Sequence, residues 1–197
     1  MVSAQSIEVI KRNGRKKEVL DISKIHDMVE HACEDIKGVS SSQVEMNSGL
    51  QFYNNITTDE IQQIITKSAA DLISLDTPNY TYVAARLLLF SLRKNLFHKL
   101  WDHPHFYDQV KRLVDLKLYD SLIMKDYDRR DFDRMEYWLK HDRDYDFTYA
   151  GLRQVIDKYL VQDRSTGQIY ETPQFMYMMI AATLFSKYPK NKRLIYV

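Results

Sequence analysis

The stretch IEVIKRNGRKKEVLDISKI, residues 7–25, reads as a β-hairpin that leads into a helix. Apolar and polar side chains alternate over residues 7–9, as they do in a half-buried strand. The pair Asn13-Gly14 predicts a two-residue hairpin turn because both residues tolerate a positive φ. Residues 18–20 form the predicted return strand, and Ser23 is the predicted N-cap of the helix. This stretch therefore predicts a small β-element that packs on helices.

The remainder of the sequence predicts helices in two successive regions. The first helix has an apolar stripe at steps of three and four residues, made of Ile25, Met28, Val29, Ala32, Cys33 and Ile36. Thr57 and Glu60 form a capping box for a later helix, and residues 82–90 are apolar enough for the central helix of a bundle. Further helices follow, the last beginning after Thr172-Pro173 behind a short strand–turn–strand. The predicted fold is mostly α (α+β): a small hairpin or sheet covering a four-helix bundle in residues 1–97, then a helical domain in residues 98–197.

Composition supports a helical fold and narrows the classes of function. The 197 residues include 5 Gly and 4 Pro, against roughly 14 and 10 at average usage. The net charge of +1 predicts no direct nucleic-acid binding and requires any basic site to be local. One Cys excludes an internal disulfide and a Cys-based zinc site. The absence of a long apolar run predicts no membrane segment and a cytoplasmic protein.

The strongest candidate site is the basic tip of the hairpin. Five basic residues cluster there with no acid until Glu18: Lys11, Arg12, Arg15, Lys16 and Lys17. From charge alone, two interpretations stay open, a phosphate site and a solvated hairpin tip.

Other candidate residues favour structural roles. The histidines at 98, 103 and 105 lack metal-site spacing and read as surface or interface residues. Residues 141–144 read as an ion-paired loop, and Cys33 as a buried small side chain. The sequence also lacks a Walker loop, a nucleophile triad and a dinucleotide-binding glycine pattern.

The order of several segments resembles the ATP-cone, the allosteric nucleotide-binding module at the start of class I ribonucleotide reductase large subunits. These segments are VIKRNG, KIH, ITTDEIQQIITKSAADLIS and PNYTYVAARLLLFSLRKNLF. The later segments LYDSLI, KHDRDYDFTYAG, KYLVQDRSTGQIYETPQF and RLIYV resemble the helical region that follows the cone in enterobacterial and tailed-phage forms. The resemblance extends from about residue 7 to residue 197.

The resemblance implies a set of nucleotide-binding residues: Lys11, Arg12, Glu18, Asp21, Lys24, Thr58, Gln62 and Lys94. In the family pattern, Lys11 and Lys94 converge on the phosphates, and Glu18 lies near the adenine base. Asp21 stands where the family commonly has Asn, and Gln62 where it often has His. The implied ligand is ATP or dATP as an allosteric effector, together with Mg²⁺.

The resemblance also explains why no catalytic group is recognisable. In the family, the catalytic cysteines and the tyrosine relay lie in a barrel and tail that follow the resembling region. We therefore expect a part of ribonucleoside-diphosphate reductase, an oxidoreductase that makes deoxyribonucleotides for DNA synthesis, with no catalytic residue or metal site in this chain. The expected partners are the remainder of the large subunit and a radical-bearing small subunit, in an oligomer. The initial Met favours a naturally split subunit, and the apolar segments FMYMMIAATLF and RLIYV predict an interface.

Two alternatives remain. The departures at Asp21 and Gln62 leave open a cone that has lost nucleotide binding and serves only as an assembly surface. A free-standing nucleotide-sensing repressor is disfavoured because such cones carry a zinc ribbon, and this chain has one Cys.

Overall fold

The computed structural model describes residues 7–11, 16–49 and 51–197. The predicted Asn13-Gly14 turn, Arg12 and Arg15 lie outside the described residues. The chain divides into two compact units, Met1–Ser91 with Tyr145–Arg153, and Leu92–Asp144 with Gln154–Val197. This division lies between Ser91 and Leu92 and assigns a short later segment to the first unit. The predicted domain boundary between residues 97 and 98 remains a prediction.

The first unit joins a three-stranded sheet to helices. Its elements are β1 (Glu8–Ile10), β2 (Lys17–Val19), α1 (Ile22–Cys33), α2 (Ser41–Gly49), β3 (Ile56–Thr57), α3 (Thr58–Asp71) and most of α4 (Tyr80–Phe97). The strand order is β2-β1-β3, with β1 antiparallel to β2 and parallel to β3. The predicted hairpin strands are thus confirmed at β1 and β2, and the sequence analysis missed β3.

Two helix starts in this unit show how local chemistry sets the fold. The predicted capping box is confirmed: Glu60 N donates to Thr57 Oγ1 over 3.1 Å, and Thr57 N donates to Glu60 Oε2 over 2.8 Å. The prediction of Ser23 as the cap of α1 is wrong. Asp21 is the N-cap, and its Oδ1 accepts from Ser23 N over 3.1 Å.

The core of the first unit is formed by the apolar faces of its helices. The stripe of α1 is buried at Ile25, Met28, Val29 and Ala32. Cys33 is only half-buried, because it lies at the edge of that stripe. Burial still raises the pKa of its thiol to about 11. In α4, the apolar run around Leu87 and Phe90 is buried, as expected for a central helix.

The second unit is helical with one short hairpin. Its elements are α5 (Phe106–Asp115), α6 (Ile123–Asp126), α7 (Arg129–Trp138), a 3-10 helix within His141–Asp146, the end of α8 (Tyr149–Lys158), β4 (Gln162–Asp163), β5 (Gln168–Ile169), α9 (Pro173–Phe185) and α10 (Lys190–Tyr196). Gly167 has φ +74° in the turn between β4 and β5, where glycine avoids strain. Pro173 at the first position of α9 confirms the predicted start of that helix.

Two predictions about polar residues in this unit need correction. Residues 141–144 lie in a 3-10 helix rather than a loop, and the ion pair found there is buried: Asp144 is fully buried and its Oδ2 lies 3.8 Å from Arg93 Nη2. His103, predicted to lie at the surface or an interface, is half-buried, and its ring stacks on His141 with centroids 3.7 Å apart. Burial lowers the pKa of His103 to about 4 and that of His141 to about 3, so both rings are neutral at physiological pH. The sequence pattern concealed both features because their partners are far apart in the chain.

Within the described part of the chain, no helix is both long and apolar enough to cross a membrane. The described residues also contain no group of three His, Cys, Asp or Glu side chains that could hold a metal ion. In accordance with the predicted fold class, 61% of the residues that the structure describes are helical, and the sheets are small.

Candidate nucleotide site

The site is built at the end of the hairpin, where β1 and β2 meet the predicted basic tip. Lys11 follows β1 directly, and its backbone N donates to Lys16 O over 2.9 Å. The Lys11 ammonium forms an ion pair with the Glu18 carboxylate, and Lys16 Nζ lies 3.8 Å from the other oxygen of Glu18. About a third of each side chain of the Lys11–Glu18 pair is exposed, 36% and 32%. The pair is therefore accessible from solvent.

The electrostatic surroundings of Glu18 are positive. The hydrogen bond from Lys11 lowers the pKa of Glu18, and the charges of Lys11, Lys16 and Lys24 lower it further. The carboxylate thus partly neutralises a group of lysines that would otherwise repel one another. Such a group can hold either this carboxylate or another anion of similar geometry.

The start of α1 contributes Asp21 and Lys24, but Asp21 is already engaged. Its carboxylate caps the helix, accepting hydrogen bonds from Ser23 N and from Ser23 Oγ, the latter at 2.6 Å. Lys24 Nζ lies 3.2 Å from Asp21 Oδ2. The hydrogen bond from Ser23 and then that from Lys24 lower the pKa of Asp21. Asp21 is therefore a charged helix cap.

The parallel strand β3 brings the start of α3 beside the end of β1. Ile10 is paired with Thr57 in this ladder, so Lys11 and Thr58 follow neighbouring strand ends in the same direction. Thr58 is the first residue of α3 and is half-buried. A helix start carries free N–H groups and the positive end of the helix dipole, both favourable to an anion. Here the capping box occupies one of those N–H groups, and Asp59 and Glu60 add negative charge to the first turn.

The remaining two residues that the resemblance implies are Gln62 and Lys94. Gln62 is 4% exposed, and its Nε2 donates to Leu87 O over 3.0 Å, so its amide is used in packing α3 against α4. Lys94 lies in the last turn of α4 and belongs to the second compact unit. Its predicted convergence with Lys11 remains a prediction. Arg12 lies outside the described residues.

Sequence reasoning missed two asparagines that fix the strand ends. Asn54 Oδ1 accepts from Glu8 N over 2.9 Å, and Asn55 Oδ1 accepts from Lys17 Nζ over 2.6 Å. Asn55 has φ +65°, a conformation that Asn tolerates better than most residues. In the sequence, the signal that could have revealed this turn was the pair Asn54-Asn55 directly before β3. It marks a turn that aligns both neighbouring strands.

Comparison with known families agrees with this architecture. Residues 7–95 match the ATP cone domain family, and residues 145–195 match the family described as ribonucleotide reductase, all-alpha domain. The first match contains the three-stranded sheet and the helices α1 to α3, together with most of α4. The fold and the matches together place the chain among proteins that carry an ATP cone domain followed by a ribonucleotide reductase all-alpha domain.

The chain is similar to individual large subunits over almost its whole length. It is 48% identical over 193 residues to the ribonucleoside-diphosphate reductase subunit alpha of Buchnera aphidicola subsp. Acyrthosiphon pisum. It is 46% identical over 193 residues to the ribonucleoside-diphosphate reductase 1 subunit alpha of Escherichia coli K12. Each alignment covers 98% of this chain and 25% of the relative. The subunit alpha of Enterobacteria phage T4 is 38% identical over 190 residues, 95% of this chain and 24% of the relative.

The chain spans about a quarter of the length of the curated relatives it matches and belongs to the N-terminal, ATP-cone-bearing part of ribonucleotide reductase large subunits. That quarter does not include the catalytic region of these oxidoreductase subunits. The resemblance to enterobacterial and phage forms is thereby confirmed.

Proposed function

We propose that the chain binds ATP or dATP at its cone and acts as the regulatory and scaffold part of a ribonucleoside-diphosphate reductase large subunit. The completing catalytic region and a radical-bearing small subunit would supply the reduction of ribonucleotides. The observation that carries this proposal is the accessible Lys11–Glu18 pair at the end of β1, beside the start of α3.

The chemistry of the pair suits an adenine nucleotide. A phosphate oxygen can take the place of the Glu18 carboxylate at Lys11, because charge-assisted hydrogen bonds of this kind are roughly twice as strong as neutral ones. The released carboxylate can then accept a hydrogen bond from the adenine amino group. Lys16 and Lys24, whose charges already act on Glu18, would favour the triphosphate. Mg²⁺ would accompany the triphosphate, which itself supplies oxygen ligands.

Calorimetric titration of the chain with ATP, and separately with dATP, tests the proposal. Lys11→Ala and Lys94→Ala should each weaken binding by about 1.5–3 kcal/mol, the loss of a hydrogen bond to a charged group, or roughly ten- to hundredfold in Kd. Lys37→Ala is the matched control, since Lys37 is an exposed lysine in the loop after α1. If both site variants bind ATP as tightly as the parent and the control, these lysines do not hold the phosphates.

A second candidate function is a cone that no longer binds nucleotide and serves only in assembly. It is favoured by Asp21, which is engaged as a helix cap, and by Gln62, whose amide is buried against Leu87. Absence of heat with both ATP and dATP, combined with intact association with the catalytic region, would support this candidate over the first.

A further inference from the structure

Lys17 belongs to the basic cluster at the hairpin tip, but the strand pairing places it on the other face of the sheet from Glu18. Val9 pairs with Glu18 on one side and with Ile56 on the other. Val9 and Ile56 are 3% and 0% exposed, so this row forms the buried face of the sheet. Because successive side chains of a strand point to opposite faces, Lys17 lies on the outer face, where it is exposed.

The Lys17 side chain reaches across the sheet on that outer face. Its register partner in β1 is Ile10, which in turn pairs with Thr57 of β3. Lys17 Nζ donates a hydrogen bond to Asn55 Oδ1 over 2.6 Å, in the turn directly before β3. We call this hydrogen bond the outer clamp. It joins one edge strand to the end of the other across β1, a span of about 10 Å at the usual strand spacing.

The pairing of β1 with β3 is short, so one additional bond matters to it. Strand β3 has two residues. The turn before it adds the bonds from Glu8 N to Asn54 Oδ1 over 2.9 Å and from Asn55 N to Glu8 O over 2.8 Å. Lys11 follows β1 and Thr58 follows β3, so the spacing between them depends on this pairing. The outer clamp therefore helps to align the two strand ends that lead into the candidate nucleotide site.

We propose that Lys17 is a positioning residue for the nucleotide site. Through its hydrogen bond to Asn55, it holds the hairpin that carries Lys11 in register with the start of α3. Lys17 does not itself contact the phosphates, because it lies on the opposite face from Glu18 and its ammonium is engaged with Asn55. A binding site needs its contacting groups held close to their productive geometry by supporting hydrogen bonds. This inference rests on the proposed function, which supplies the nucleotide.

Calorimetric titration of the full chain with ATP tests the proposal. Lys17→Met removes the ammonium and keeps an unbranched side chain, whereas Asn55→Gly removes the acceptor and tolerates the φ of +65° at this position. We expect each variant to lose roughly three- to tenfold in affinity, as the loss of one hydrogen bond implies. Lys17→Arg, whose guanidinium can still donate to Asn55, should bind like the parent. Lys37→Met is the matched control for the lost charge, since Lys37 is exposed in the loop after α1.

The double variant, Lys17→Met with Asn55→Gly, separates positioning from direct contact with the nucleotide. If the two side chains act through one bond, the double variant loses no more affinity than either single variant. Losses that add would overturn the proposal, because the two residues would then act independently. A weakened Lys17→Met beside an Asn55→Gly that binds like the parent would also overturn it, because Lys17 would then contact the nucleotide itself.

Hydrogen exchange of the ligand-free chain tests the alignment without nucleotide. The Glu8 amide, which donates to Asn54 Oδ1, should exchange several-fold faster in both single variants. The Leu20 amide, which donates to Ile7 O over 2.8 Å within the hairpin, should keep its rate. Unchanged exchange at Glu8 in both variants would overturn the inference. A parent chain that binds no ATP, together with faster exchange at Glu8 in the variants, would overturn the proposed function and leave the alignment by Lys17 standing.

Discussion

Replacing Arg93 by Met should destabilise the second unit strongly and in a pH-dependent manner. Arg93 is 1% exposed and Asp144 is 0% exposed, and Arg93 Nη2 lies 3.8 Å from Asp144 Oδ2. The same Nη2 donates to His141 O over 2.8 Å, and Gln174 Nε2 donates to Asp144 Oδ1 over 3.1 Å. The substitution keeps much of the side-chain volume and removes the charge, so it leaves Asp144 as a buried carboxylate without its cation.

The size of the effect follows from the distance. Two unit charges separated by the observed 3.8 Å attract by about 4 kcal/mol at an effective dielectric constant of roughly 20. Removing one partner of a buried pair typically costs about 3–5 kcal/mol. We therefore expect Arg93→Met to lower the free energy of unfolding by about 4 kcal/mol at pH 8.

The sign of the pH dependence comes from Asp144. Burial raises its pKa to about 6, above the ordinary value of 3.8. A raised pKa means that the ionised form costs stability, so the cost is present above the folded-state pKa and is relieved as the pH falls through it. Removing Arg93 raises that pKa further, because the positive charge favours ionisation. At pH 5, Asp144 of the variant is protonated, and the loss of stability should fall to about half or less of its value at pH 8.

Urea unfolding followed by circular dichroism at pH 8 and pH 5 measures both quantities. Arg134→Met is the matched control, since Arg134 is exposed on α7. Adding Asp144→Asn to Arg93→Met removes the buried charge and should recover much of the stability at pH 8. An equal loss at both pH values, or a double variant as unstable as the single one, would refute the reasoning.

Two further predictions concern the cap of α3 and the stacked imidazoles. Thr57→Ala removes the hydroxyl that accepts from Glu60 N and should lower the free energy of unfolding by about 1–2 kcal/mol. Urea unfolding measures this change, and the control Ser42→Ala, at an exposed serine, should leave the free energy of unfolding nearly unchanged. An equal loss in both variants would contradict the capping role of Thr57. His103 and His141 have pKa values of about 4 and about 3, below the ordinary 6.5, so the stability they contribute is present above pH 6.5 and is lost as the pH falls towards these values. An NMR titration of the two rings checks this, and a midpoint near 6.5 for either ring would show that the pair is not buried as described.

Local signals in the sequence predicted most helices and several of their starts. The capping box at Thr57 and Glu60 and the start of α9 at Pro173 depend on residues within one turn, and both are confirmed. The cap of α1 was assigned to Ser23 and belongs to Asp21. Asp and Ser are both good N-cap residues, and here they lie two positions apart. Only the backbone conformation decides which of the two caps the helix.

Features that depend on distant residues were not predictable from local patterns. Strand β3 has two residues, too few to display an alternating pattern, and it is defined only by its pairing with β1. The burial of Asp144 depends on Arg93, which lies on a different helix. For the candidate site, the sequence predicted the charges at Lys11 and Glu18, but not that they pair with each other or that Gln62 is buried.

The pairing of β1 with β3 has a consequence for the order in which the cone can be made. Glu8 N bonds to Asn54 Oδ1, a residue 46 positions later, and Asn55 N donates back to Glu8 O over 2.8 Å. Closing a loop of that length costs about 3 kcal/mol of chain entropy, and a two-residue strand offers few bonds in return. During synthesis, β1 can pair with β2 early, but it waits for its second partner, β3, until residue 57 has left the ribosome. Formation of the helices between the two strands shortens the distance that the intervening chain must span. The β1–β3 pairing, which aligns Lys11 with α3, therefore forms last.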